Sequence, residues 1–193
     1  RRAWVARESR LGDATLTAEV AKHPDREMEM VLRWSRKVNE TIAAMVHDVP
    51  PFPLARESLA ALGGAADLMV VSQTPAHALE REWREHDLDD LVRTIAGQEL
   101  GTKSEHLAMA AGGRYAPERI LMIGDAPGDY NAARDNKALF YPIVPGFEEA
   151  SWRRFHEEAM QRFLGGTYAG AYEDTLVAEF NRHLPEQPPW RQR

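Results

Sequence analysis

The chain has 193 residues, 44% of them apolar and 28% charged, with a formal charge of −6 and no cysteine. This balance suits a soluble globular protein of one ordinary domain, or a core with a small appendage, and excludes a disordered chain, a disulfide framework and thiolate chemistry. The acidic charge argues against nucleic acid as a partner, no apolar run approaches the roughly 20 residues that span a membrane, and the polar opening RRAWVARESR is no secretory signal, so the expected compartment is cytoplasmic.

Residues 1 to 48 read as helical. Pro24 suits a first helical turn, and after it Met28, Val31, Trp34, Val38, Ile42 and Met45 recur at steps of three or four, which gathers them on one helix face. Trp34, like Trp152 and Phe155 further on, reads as a core residue rather than a ligand platform. VPPFP then breaks the pattern at Pro50, Pro51 and Pro53.

From residue 54 to 144 helix and strand alternate. LARESLAAL reads as a helix stopped by Gly63 and Gly64, and DLMVVS as a strand buried on both faces. PAHALEREWREHD returns to helix, with Pro75 placed for its first turn. RTIAG is a weak strand, SEHLAMAAGG a helix, RILMIG the clearest buried strand, GDYNAARDN a helix and ALFYPIV a last strand. Strands separated by helices of about ten residues predict parallel βαβ units with helices on both faces of a sheet. Residues 147 to 184 predict two amphipathic helices, one carrying Trp152, Phe155, Ala159 and Phe163, the other Tyr172, Leu176, Phe180 and Leu184, with Gly165 and Gly166 between them. The tail PEQPPWRQR reads as irregular.

Open parallel sheets bind ligands beyond the carboxyl ends of their strands. There the sequence places Ser72, Gln73 and Thr74 after one strand, Asp125 and Asp129 after another, and Lys103 at the start of an intervening helix. A serine hydroxyl and helix N–H groups hold phosphate oxygens, and a lysine ammonium stabilises a phosphoryl group. Two neighbouring carboxylates repel unless a hard cation such as Mg²⁺ joins them. Gly124 lets the backbone turn closely with no Cβ in the way. The seven histidines show no H-x-x-x-H or H-E-x-x-H spacing, which argues against zinc.

In this order VVSQTP, GTKSEHLAMAAGG and ILMIGDAPGDYNAA resemble the second, third and fourth motifs of the haloacid dehalogenase superfamily, over roughly residues 50 to 144. The resemblance implies an α/β fold: a three-layer, Rossmann-like parallel sheet flanked by helices, with a helical cap. Residues 1–48 would be a partial cap, 49–146 the core, and 147–193 C-terminal helices and tail on the core. It implies that Ser72, with Gln73 and Thr74 beside it, and Lys103 bind phosphate. It gives Lys103 and Asp125 catalytic roles, and has Asp125 and Asp129 bind or organise Mg²⁺. The activity implied is a Mg²⁺-dependent phosphatase of a small phosphorylated metabolite, working through an aspartyl-phosphate.

The sequence departs from that family at its first motif, an apolar strand followed by DxD. Asp13, Asp25 and Asp48 follow no such strand, and the DLDD run at Asp87–Asp90 lies in the wrong place. The missing strand belongs in the middle of the sheet, between those ending at Ser72 and Asp125. The expectation is that these residues start inside the cap and that another segment supplies the nucleophile. Two alternatives stand beside the phosphatase: a haloacid dehalogenase, which needs no Mg²⁺, and a non-catalytic relative binding a phosphorylated ligand or a protein. The sequence does not disclose an oligomeric state.

Overall fold

In the computed structural model, which describes residues 2–8 and 12–184, the chain divides into two units, Arg1–Val49 and Pro50–Arg193. The proline-rich tail lies outside the described residues. Among those described, no helix is long and apolar enough to cross a membrane.

The first unit contains α1 (Arg2–Arg7), α2 (Asp13–Lys22) and α3 (Arg26–Met45). The Asp25 carboxylate accepts the Met28 N–H at 3.0 Å and caps α3, an interaction that stabilises a helix by about 1 kcal/mol. Pro24 thus precedes the cap instead of standing in the first turn. Met28 and Leu32 pack with Trp4 and Leu16. The Asp13 carboxylate accepts from the Ser35 hydroxyl and, at 2.9 Å, from the Asn39 amide, fixing the start of α2 beside the middle of α3.

The apolar stripe expected on α3 is only partly buried. Met28 is inside, but Trp34 is 66% exposed and Met45 73%, so Trp34 is a surface residue and not part of the core. Trp34 stands about 120° round the helix from Met28. Moreover α2 has 10 residues against 20 in α3, so it is too short and too narrow to cover the whole stripe.

The second unit runs α4 (Ala55–Leu62), β1 (Met69–Val71), α5 (Ala76–Glu85), β2 (Thr94–Ala96), α6 (Lys103–Ala111), β3 (Leu121–Gly124), α7 (Pro127–Asp135) and β4 (Leu139–Pro142). Then come α8 (Glu148–Arg154) and α9 (Met160–Leu164), joined by a π turn at Phe155–Ala159, and finally α10 (Ala171–Arg182). The π turn sets Phe155 and Ala159 into the core, and the His156 ring lies 3.1 Å from the buried Ser58 hydroxyl of α4. Pro75 again precedes its helix, α5, as the capping residue.

This unit is α/β, and its strands pair in parallel. They form two separate sheets, β1 with β2 and β3 with β4. The Arg93 N–H donates to the Leu68 carbonyl at 2.8 Å and the Ser72 N–H to the Ala96 carbonyl at 2.9 Å. Successive residues of a ladder bond to opposite sides, so the main-chain groups of Met69 and Val71 point away from β2. By the same parity, the bonds from Leu139 to Ile120 and from Ile143 to Gly124 leave those of Leu121 and Ile123 pointing away from β4. Leu68, Leu121 and Ile123 pack on a cluster with Leu62 and Tyr141, and Val71 packs on the one holding Met122 and Phe140.

The outer edge of β4 is closed. The Phe140 N–H donates to Glu173 at 2.8 Å, and the Phe140 carbonyl accepts the Tyr168 hydroxyl at 2.7 Å. Pro142 has no N–H to leave unpaired, and the Val144 N–H donates to the Ser151 hydroxyl at 3.0 Å. Burial raises the Glu173 carboxyl above its ordinary pKa.

Two expectations follow for stability. Helix α7 ends in a Schellman motif, with the N–H of Lys137 donating to Arg134 and that of Ala138 to Ala133, at 3.0 and 2.9 Å. Lys137 occupies its left-handed position at φ 57°, where glycine carries no Cβ penalty. Lys137→Gly should add up to about 1 kcal/mol, seen as a raised urea midpoint; a lowered midpoint would contradict the assignment. Burial also pushes the phenols of Tyr141 and Tyr168 above their ordinary 10.0. A folded pKa raised above the unfolded one means stability that is complete below about pH 10 and lost above it. Urea unfolding at a series of alkaline pH values should therefore show a shallower decline in a Y141F/Y168F variant than in the parent, and parallel declines would count against it.

Candidate active site

Strand β1 ends at Ser72, half-buried, whose Oγ accepts the Thr74 N–H at 3.1 Å. This local turn uses the oxygen as acceptor and leaves the hydroxyl hydrogen to donate elsewhere. Gln73 donates from Nε2 to the Gly101 carbonyl at 3.0 Å, tying the turn to the loop before α6. Thr74 joins through its main chain, its carbonyl accepting the Gln98 N–H at 3.1 Å. Glu99 accepts the Ala76 N–H at 3.1 Å and fixes the start of α5 against the same loop.

A reciprocal capping box starts α6. The Thr102 hydroxyl accepts the Glu105 N–H at 3.2 Å, and the Glu105 carboxylate accepts the Thr102 N–H at 2.7 Å. Lys103 is consequently the first residue of the helix, and its ammonium forms an ion pair with Asp129. The lysine side chain is 27% exposed and the carboxylate 2%. The second Asp129 oxygen accepts the N–H groups of Asp125 and Ala126 at 3.1 and 3.2 Å. Every face of this buried carboxylate is thus engaged, as a buried charge requires. Gly124 makes the arrangement possible, since a Cβ there would overlap the Asp129 side chain.

Asp125 differs from Asp129. It is exposed at the turn after β3, and among the described hydrogen bonds and ion pairs none engages its carboxylate. With Asp129 neutralised by Lys103, Asp125 is the charge left to a cation. The six residues singled out in the sequence lie beyond the ends of β1 and β3, linked from the Ser72 turn through Gln73, Gly101 and Lys103 to Asp129 and the Asp125 backbone. Of the two metal candidates, the structure leaves Asp125 open and gives Asp129 internal partners.

The sequence reading passed over Glu99, the Thr102–Glu105 box and His106. The S/T-x-x-E spacing signals the box. His106 lies one turn beyond Lys103, is 1% exposed, and has no hydrogen-bond partner on either ring nitrogen among the described residues. Burial lowers its pKa.

No family model, curated protein or solved structure matches this chain.

The close approach at Gly124 gives a direct test. Gly124→Ala should destabilise the protein by about 1–3 kcal/mol, because the Asp129 side chain must move off its three donors. Gly128→Ala, in the first turn of α7 with open space around it, should be neutral or stabilising. Equal thermal midpoints for the two variants would refute the packing argument.

Proposed function

We propose that this chain carries the phosphate- and metal-binding side of a Mg²⁺-dependent phosphomonoester hydrolase of the haloacid dehalogenase type. The reading rests on one juxtaposition. The Lys103–Asp129 pair, seated over Gly124, leaves Asp125 exposed beyond the carboxyl end of β3. A fifth parallel strand between β1 and β3 would join the two sheets into one three-layer, Rossmann-like core and bring its carboxyl end beside Lys103 and Asp125.

The residues divide the work by chemistry. The Ser72 hydroxyl, whose hydrogen is free to donate, receives a phosphate oxygen. The Lys103 ammonium, held by Asp129, faces the transferring group and offsets its charge in the transition state. A carboxylate on the entering strand attacks phosphorus and displaces the ester's alcohol, which takes its proton from a second aspartic acid; that aspartate then activates the water that hydrolyses the aspartyl-phosphate, releasing phosphate and restoring the carboxylate. Asp125 fits Mg²⁺ through its free oxygen donors, and Asp129 organises the loop on which Asp125 stands. When bound, Mg²⁺ supplies charge neutralisation to the phosphoryl oxygens. One carboxylate is a small set even for an ion that keeps most of its waters, so the entering strand shares in the coordination.

The test is to express the protein with any residues its gene encodes ahead of Arg1 and to screen hydrolysis of small phosphomonoesters with Mg²⁺ and with EDTA. Turnover should require the metal, and Lys103→Met or Asp125→Asn should each lower kcat by about 10²–10³-fold. The 193 residues alone should be inactive. Absence of turnover across the panel would overturn the enzyme and leave a phosphate- or protein-binding relative. Metal-independent release of halide from haloacids would point to the dehalogenase.

A further inference from the structure

Helix α6 carries a buried titratable group that the proposed chemistry does not use. The helix has 9 residues, too few to stay helical in water without packing. Three of its side chains are buried, those of His106, Leu107 and Ala111. Among the described residues neither nitrogen of the His106 ring has a hydrogen-bond partner. A neutral imidazole tolerates that position far better than an imidazolium, which would be a buried charge with no acceptor.

The surroundings supply no counter-charge. Helix α6 packs on α7 and β1. Lys103 and Ser104 face α7, where they meet Asp129 and Asn136. His106 stands about 60° round the helix from Lys103, on the flank away from Ser104. Asp129 is the one acid on the buried face of α7, and Lys103 holds it. Tyr130 of α7 turns its ring to Phe140, and Arg134 and Asp135 are exposed. Strand β1, Met69–Val71, has no ionisable side chain. Glu105, the neighbour on α6, favours the charged ring, but burial opposes it more strongly and sets the pKa below the ordinary 6.5.

We propose that His106 is an acid-sensitive pin of α6: protonation of its ring releases the start of the helix and withdraws Lys103 from Asp129. The imidazolium lies one turn from the Lys103 ammonium, so like charges add to the cost of keeping it inside. Swinging the ring into water removes one of three anchors. It also loosens the first turn, which the His106 N–H closes by donating to the Thr102 carbonyl at 2.9 Å. With the folded pKa below the unfolded one, α6 is held fully above about pH 6.5 and less firmly as the pH falls from there to the lowered folded value. The pin acts through packing and is independent of the activity proposed above.

Hydrogen exchange of the 193-residue chain and its His106→Leu variant at about pH 7.5 and about pH 5.5 tests this, with the histidine rings followed by NMR over the same range. In the parent, acidification should raise the opening constant of residues 106–108 several-fold, with a ceiling of about tenfold for one proton. Residues 121–124 of β3 should keep theirs. In His106→Leu, which loses no side-chain hydrogen bond, the acid effect should vanish. The ring signal that the variant lacks, out of seven histidines, should titrate below 6.5. Three results would each overturn the proposal: a ring midpoint at or above 6.5; acid opening of α6 unchanged in the variant; or an acid effect equal in α6 and β3, the mark of whole-unit unfolding. The first and third are read from the parent alone, so they stand even where His106→Leu fails to fold.

Discussion

The geometry of the candidate site depends on one buried carboxylate. Asp129 is almost fully removed from water and is held by the Lys103 ammonium and two backbone N–H groups. A charge in that position is tolerable only when it is paired and hydrogen-bonded. The consequence is mutual positioning. The start of α6, the start of α7 and the end of β3 cannot drift apart without stranding the charge. Lys103 is thereby fixed in direction, and the turn carrying Asp125 is fixed in shape. Gly124 is the steric condition for the whole arrangement, because the carboxylate occupies the space that a Cβ would take.

The edges of the two small sheets show what the fold protects and what it leaves open. An unpaired strand edge invites unwanted pairing, and natural proteins close such edges deliberately. On the outer side of β4, Glu173, Tyr168, Pro142 and Ser151 close it group by group. On the sides of β1 and β3 turned away from their partner strands, no side chain bonds the main chain of Met69, Val71, Leu121 or Ile123 among the described hydrogen bonds. Those edges are apolar on both faces, with Leu68 and Ile123 on one cluster and Val71 and Met122 on the other. An edge lined in this way fits a buried strand better than it fits water.

The helical unit shows the same economy on a smaller scale. Its helices are well specified locally: Asp25 caps α3, and Asp13 bridges to Ser35 and Asn39. Its apolar surface exceeds what its own ten-residue second helix covers. Local capping and long-range coverage are separate requirements, and only the first is met within this unit.

Periodicity in the sequence determined the elements. The buried strands at Met69–Val71 and Leu121–Gly124 stand out as short apolar runs. The positions of Ser72, Lys103, Asp125 and Asp129 at strand ends and helix starts were equally legible, because strand and helix boundaries are local properties. Three things were not. The sequence did not say that Asp129 is consumed by internal partners while Asp125 stays open, since that depends on an approach permitted by Gly124 and on a lysine 26 residues upstream. It did not place Trp34 at the surface, because a helical stripe records apolarity and not the length of the neighbour available to bury it. Nor did it foresee two half-sheets in place of one, because pairing is settled by which main-chain edges meet in space.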